Sequence, residues 1–173
     1  TDALRNPISP YAATKIAGEV LCHTYNALYK TEVVSLRFFT VYGPSQRPEM
    51  AIHQFARKIL KEEPITIFGD GSSRRDYTYV DDIVDGVMLA LRGSFQDEIF
   101  NLGNSRTTEL LKLVQLLEQN LDKKAQITFK PDQPGDVPIT YADLTKSQKE
   151  LGYNPKISIE EGIKRFCYWI KTN

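Results

Sequence analysis

The chain has 173 residues, about one domain of the usual ~150 residues. Its 41% hydrophobic and 25% charged residues argue against disorder, and its 22 basic and 22 acidic side chains cancel, which speaks against nucleic-acid binding as the main activity. No apolar run approaches the ~18 residues of a membrane span, and the opening TDALRNPISPY lacks the apolar stretch of a signal peptide, so no membrane partner is expected. Cys22 and Cys167 fall in separate predicted helices without C-x-x-C spacing and read as reduced core residues of a cytoplasmic protein.

The first predicted element is a helix. Ser9 is a candidate N-cap, Pro10 suits the first helical position, and Ala13, Ile16, Ala17, Val20, Leu21 and Leu28 recur at helical spacing up to Tyr29. Residues 33–39, VVSLRFF, have the apolar, β-branched and aromatic character of a strand buried on both faces, closed by Tyr42-Gly43-Pro44. A chain opening on a crossover helix and a buried strand needs further strands beside them. The expectation is a C-terminal portion of a larger α/β protein, with a complete small α+β domain as the alternative.

The rest alternates. Ile52, Phe55, Ala56, Ile59 and Leu60 form one helical face, stopped by Pro64. Residues 65–68 and 77–80 are short strands separated by the Gly69-Asp70-Gly71 turn. Asp81 can cap a helix carrying Ile83, Val87, Ala90 and Leu91 inward, closed by Gly93. Residues 99–102 and 127–129 are strands, with a helix between them through Leu110, Leu113, Val114, Leu117 and Leu121, capped by Thr107 or Thr108. Thr145 and Ser158 each open a capping-box pattern, the first for a short helix and the second for a last helix with Ile159, Ile163, Phe166, Cys167 and Ile170 on one face. The proline-rich residues 131–138 form a loop. His23 and His53 are single and far apart, so no metal site is read, and both are expected on helix surfaces.

Tyr11 and Lys15 are four residues apart and share a helix face. A nearby ammonium favours phenolate over phenol, so such a pair can move a proton on and off a hydroxyl. The spacing also recurs by chance in many helices. Arg74 and Arg75 suit phosphate oxygens, Arg47 follows a strand end where open α/β sheets bind ligands, and Asp136 belongs to a Pro-Gly-Asp turn. Each also fits a plain surface role.

Taken together and in order, SPYAATK (9–15), LRFFTVYGP (36–44), RRDYTYVDD (74–82), FNLGN (100–104) and QPGDV (133–137) resemble the C-terminal part of extended short-chain dehydrogenase/reductases acting on nucleotide sugars. The likeness spans essentially the whole chain. Within that family, TVYGP followed by Arg47-Pro48-Glu49-Met50 is most similar to the UDP-glucuronate 4-epimerases; many relatives working on neutral hexoses have Asn in place of Thr40. The resemblance implies the end of a Rossmann-type, doubly wound parallel sheet plus a small α/β substrate-binding domain. Its divisions would be 1–48 and 81–106 for the NAD-binding part, and 49–80 and 107–173 for the substrate-binding part.

It also implies roles. Tyr11 would be the acid/base on the sugar C4 hydroxyl. Lys15 would hold the nicotinamide ribose and favour the Tyr11 phenolate, and Phe38 and Val41 would lie beside the nicotinamide of NAD. Thr40 and Arg47 would contact the uronate carboxylate, Thr66 and Phe68 would line the uracil pocket, and Arg75 and Asp136 would belong to the nucleotide-diphosphate site. The implied partners are a nucleotide-diphosphate sugar and a second copy, joined through the helix over residues 11–29. The ten glycines form no G-x-G-x-x-G, and the family's catalytic Ser/Thr precedes the position of Tyr11, so the chain alone is expected not to turn over. Many relatives carry Arg at the place of Gln133, so the diphosphate contacts there are expected to differ. Another enzyme of the family (a neutral-hexose 4-epimerase such as one for UDP-glucose or UDP-GlcNAc, a 4,6-dehydratase or a decarboxylase) and a non-catalytic binding or dimerisation module stay open.

Overall fold

The computed structural model describes Pro7, residues 9–132 and residues 137–173. Helix α1 spans Pro10–Tyr29, with Ser9 as N-cap accepting the Ala12 N–H at 3.1 Å and Lys30 closing it in the left-handed region at φ 56°. Strand β1 (Val33–Phe38) follows, then β2 (Thr40–Tyr42). The segment read as one strand is therefore two. β1 pairs in parallel with β6 (Asp97–Leu102), from Val33 opposite Asp97 to Phe38 opposite Leu102, whereas β2 pairs in parallel with β5 (Tyr77–Tyr79). The change of partner falls at Phe39, whose N–H still donates to Leu102 O, while the Thr40 N–H donates to Asp76 O. An apolar run carries no mark of such a switch.

Helix α2 (Ala51–Leu60) leads to β3 (Ile65–Phe68), which pairs in parallel with β8 (Ile127–Lys130). Arg74 and Arg75 form strand β4, flanked by β7 (Thr108–Glu109) on one side and β9 (Ile139–Thr140) on the other. Helix α3 spans Val80–Arg92 and α4 spans Leu110–Leu121. Their N-caps are Tyr79 and Glu109, not Asp81 and Thr107 or Thr108. The reason is local. Thr107 is committed to Arg74, whose Nε donates to its hydroxyl at 2.9 Å, and Asp82, one residue beyond Asp81, is buried and accepts the N–H groups of Lys156 and Ile157. The short helix expected from Thr145 is a π-helical turn, Ser147–Leu151. The Thr145 hydroxyl donates to Asp143 Oδ1 instead of capping the next turn. Helix α5 (Ile159–Thr172) starts as its pattern suggests, with Ser158 Oγ accepting the Glu161 N–H.

Two apolar cores result. The larger joins Tyr42, Ile52, Phe55, Ile59, Ile65 and Ile67 to Leu113, Leu117, Ile163 and Phe166. The smaller packs Ile83, Phe100, Leu102, Leu144 and Tyr153 under β6. Each large apolar side chain so buried contributes roughly 1.5–3 kcal/mol. At Gly162 the approach of α5 is so close that a Cβ would lie 2.0 Å from the Tyr42 hydroxyl, so only glycine fits there.

Helix α1 has the extent its sequence pattern suggests. None of its residues is buried, and Val20, Leu21 and Leu28 of the apolar pattern are exposed with Tyr25 and Tyr29. It meets the sheet through polar groups: Arg37 donates to both oxygens of Glu19 at 2.6 and 2.8 Å, His23 pairs with Asp97, and Asn26 Nδ2 donates to Gln96 O and Thr31 O. Glu19, His23 and Asn26 lie on one face at helical spacing.

The sheets are joined at Asp76, which has no exposed surface. Its carboxylate accepts the N–H groups of Asn104 (2.8 Å), Ser105 (2.8 Å) and Ala142 (3.0 Å) and the Thr78 hydroxyl (3.0 Å). Replacing Asp76 with Ala strands three backbone donors, each costing about 1–3 kcal/mol, so urea denaturation of this variant should show a loss of at least ~3 kcal/mol. The cysteines differ in environment. Cys167 is buried and its thiol is pushed up to about 12 by desolvation, whereas Cys22 on α1 is only half-buried, against the expectation that both are core. Cys167 is therefore a neutral thiol at pH 8, and Ellman's reagent should label one thiol in the folded chain and both after denaturation.

Candidate active site

The amino end of α1 and the strand ends of β1 and β2 meet at a cavity of about 670 Å³, walled by Tyr11, Phe38, Thr40, Val41, Arg47 and Met50 among others. Tyr11 stands in the first turn of α1, 71% exposed, so its hydroxyl is free to meet a ligand. Lys15 lies one turn further on, with Nζ 5.3 Å from the centre of the Tyr11 ring. This places a positive charge against the phenol face, an attractive cation–π geometry. Lys15 itself lies beside the cavity rather than in its wall.

A second cavity of about 310 Å³ adjoins the first, because Thr40, Gln46 and Met50 line both. Its other walls include Thr66, Phe68, Arg75 and Tyr77. Alternation along β3 explains the first two. Ile65 and Ile67 point into the larger core, which turns Thr66 and Phe68 the other way. The same alternation on β4 divides the two arginines. Arg75 faces the second cavity, whereas Arg74 is held on the opposite side by Thr107, donating to its hydroxyl and carbonyl, and by Glu109 at 3.7 Å. Burial pushes the Tyr77 hydroxyl up to about 12, so at neutral pH it can donate or accept a hydrogen bond but not act as a base.

Of the residues singled out in the sequence, Tyr11, Phe38, Thr40, Val41 and Arg47 thus surround one cavity, and Thr40, Thr66, Phe68 and Arg75 the next. Asp136 lies outside the described residues, as does Gln133. Two residues escaped the sequence reading. Asp76 lies between Arg75 and Tyr77 and, through Thr40, fixes the shared wall. His53, expected on a helix surface, is buried and donates from Nδ1 to Gln46 O at 2.6 Å. Its spacing three residues before Ala56 was the available signal, since that places it on the apolar face of α2.

The arrangement offers a phenol for proton transfer, an arginine on each cavity and a hydroxyl at their junction. Such a pair of cavities suits an elongated anionic ligand. The wall formed by Tyr11, Phe38 and Val41 is aromatic and aliphatic, which fits the nicotinamide end of a dinucleotide, while the sequence carries no G-x-G-x-x-G cradle for the pyrophosphate end. Among the described residues no group of three or more His, Cys, Asp or Glu is placed to hold a metal, and no helix is long and apolar enough to cross a membrane.

Comparison with known proteins gives a consistent result. An uncharacterized protein of Methanocaldococcus jannaschii is 49% identical over 99% of this chain and 53% of its own length. The UDP-glucuronate 4-epimerase of Thermodesulfobacterium geofontis is 44% identical over 96% of this chain and 52% of its own length. Among solved structures, the UDP-glucuronic acid 4-epimerase of Bacillus cereus, in complex with UDP-glucuronic acid and NAD, superposes with a TM-score of 0.92 at 39% identity, covering 99% of this chain and 55% of that one. The chain therefore spans about half the length of the relatives it matches. The family described as NAD dependent epimerase/dehydratase matches residues 1–103, and the chain belongs to that family.

Proposed function

We propose that this chain is the catalytic-helix and substrate-binding portion of a UDP-glucuronate 4-epimerase. The observation that carries this reading is the convergence of Tyr11, Thr40 and Arg47 on one cavity that continues into a second bearing Thr66, Phe68 and Arg75. The crystal complex of the B. cereus relative, with UDP-glucuronic acid and NAD, supports it. In this reading the uracil lies against Thr66 and Phe68. Arg75, with Asp136, belongs to the diphosphate site, and Thr40 and Arg47 hold the uronate carboxylate. Guanidinium groups suit both anions because they offer paired N–H donors.

Tyr11 takes the proton from the C4 hydroxyl and later returns it, and Lys15, one helical turn on, would hold the nicotinamide ribose. Phe38 and Val41 would flank bound NAD, whose chemistry is to accept hydride from C4 and give it back on the other face of the 4-keto sugar. That ketone is β to the C6 carboxylate, an arrangement prone to lose carbon dioxide. Thr40 and Arg47 would hold the carboxylate in an orientation that disfavours C–C cleavage. The NAD-binding share of this chain would be residues 1–48 and 81–106, which include the paired strands β1 and β6, and the substrate-binding share 49–80 and 107–173. The exposed apolar residues of α1 support its role as a contact between two copies.

The direct test joins the chain to the N-terminal half of the T. geofontis relative. The 173-residue chain with NAD and UDP-glucuronate should give no turnover, and the joined protein should form the C4 epimer. Tyr11→Phe should cost it roughly 10²–10⁴ in kcat. Turnover by the chain alone would overturn the division of labour, and a joined protein that binds NAD yet leaves UDP-glucuronate unchanged would overturn the epimerase reading. In the active joined protein, Arg47→Ala should raise the proportion of decarboxylated UDP-pentose, read by chromatography of the products. An unchanged ratio would remove Arg47 from the carboxylate.

A further inference from the structure

Arg47 is the one proposed uronate contact carried by a loop. That loop, residues 43–50, runs from β2 to α2 and includes Ser45 in the left-handed region at φ 62°. Among the described residues the guanidinium contacts its own loop, with Glu49 at 3.5 Å and Met50 Sδ at 3.7 Å, and the Arg47 side chain is 75% exposed. Its direction is therefore set by the backbone beneath it.

That backbone is held from the adjacent position. The Gln46 carbonyl accepts a 2.6 Å hydrogen bond from His53 Nδ1, and Gln46 Nε2 donates to Val41 O at 3.0 Å. A carbonyl can only accept, so Nδ1 carries the proton of this bond. The imidazole is in turn fixed by edge-to-face packing on Phe166 (5.8 Å) and Trp169 (5.8 Å) of α5. A continuous path thus runs from the aromatic core of α5 through His53 to the peptide joining Gln46 to Arg47.

We infer that His53 is a positioning residue for substrate choice: it holds the Gln46–Arg47 peptide so that the Arg47 guanidinium meets the carboxylate of a uronate. This rests on the proposed role of Arg47, but the latch itself is a separate claim. His53 touches no ligand in this account and acts through Arg47 alone. Its loss should weaken recognition of the carboxylate and leave recognition of UDP intact.

The experiment compares wild type, His53→Phe and His53→Asn in the same 173-residue chain. Phenylalanine keeps the aromatic packing and removes the donor. Asparagine places an amide donor near the position of Nδ1. Two readouts are taken: amide hydrogen exchange over residues 43–60, and calorimetric titration with UDP and with UDP-glucuronate. In His53→Phe, exchange over 43–50 should accelerate about tenfold while 51–60 keeps its protection, as follows from loss of one hydrogen bond of ~1.4 kcal/mol. The Kd for UDP-glucuronate should rise about tenfold and that for UDP stay within about twofold, with Asn restoring most of both losses. Unchanged loop exchange in His53→Phe, or equal weakening of both ligands, would overturn the proposal. Wild type binding UDP-glucuronate no better than UDP would instead sink the uronate role of Arg47, and the exchange data would still decide whether His53 holds the loop.

Discussion

The structure depends on a buried carboxylate held by a ring of hydrogen-bond donors. Asp76 is wholly enclosed, and a charge so placed is tolerated only where hydrogen bonds replace its water. Three backbone N–H groups and one hydroxyl do so, and they come from the end of β6, from the segment after β9 and from β5. The same residue offers its main chain to β2, accepting the Thr40 N–H, and to β9, donating to Thr140 O. Four strands are thereby registered at one point. Since Arg75 and Tyr77 flank Asp76 and turn toward the second cavity, the point that closes the fold also fixes the wall between the two cavities.

Helix α1 follows a different logic. It is held to the sheet by the Glu19–Arg37 fork and by the polar contacts of His23 and Asn26, while its large apolar side chains remain exposed. Tyr11, Lys15 and Glu19 are spaced four residues apart along one side of that helix. The Glu19–Arg37 pair therefore anchors the helix side that carries Tyr11. Val20, Leu21, Tyr25, Leu28 and Tyr29 thus give α1 an exposed apolar surface of the kind that marks interaction sites.

Much of this was legible in the sequence because helix periodicity and capping chemistry are local. Ser9 and Pro10 mark the start of α1, Ser158 marks α5, and the apolar positions of α2, α4 and α5 define the larger core. That Thr40, Arg47, Thr66, Phe68 and Arg75 gather was also legible, because their motifs follow one another in a recognisable order, and they line the two adjoining cavities. What was not legible depends on distant partners. The strand break at Phe39 arises because β6 and β5 compete for one apolar run. Asp81 and Thr107 have the chemistry of caps, but tertiary contacts claim Asp82 and Thr107 for the backbone at 156–157 and for Arg74. The spacing of His53 on the apolar face of α2 signalled its burial, but the carbonyl it meets, seven residues back on a loop, has no mark in the sequence.

The central claim is that the two adjoining cavities form one site for a single elongated UDP-uronate. It is tested most directly by titrating the isotopically labelled chain with UDP-glucuronate and with UDP and following backbone amide resonances. The account predicts that UDP shifts Thr66, Phe68 and Arg75, and that UDP-glucuronate shifts these together with Thr40 and Arg47. Shifts confined to surfaces away from both cavities, or the same pattern for the two ligands, would contradict it.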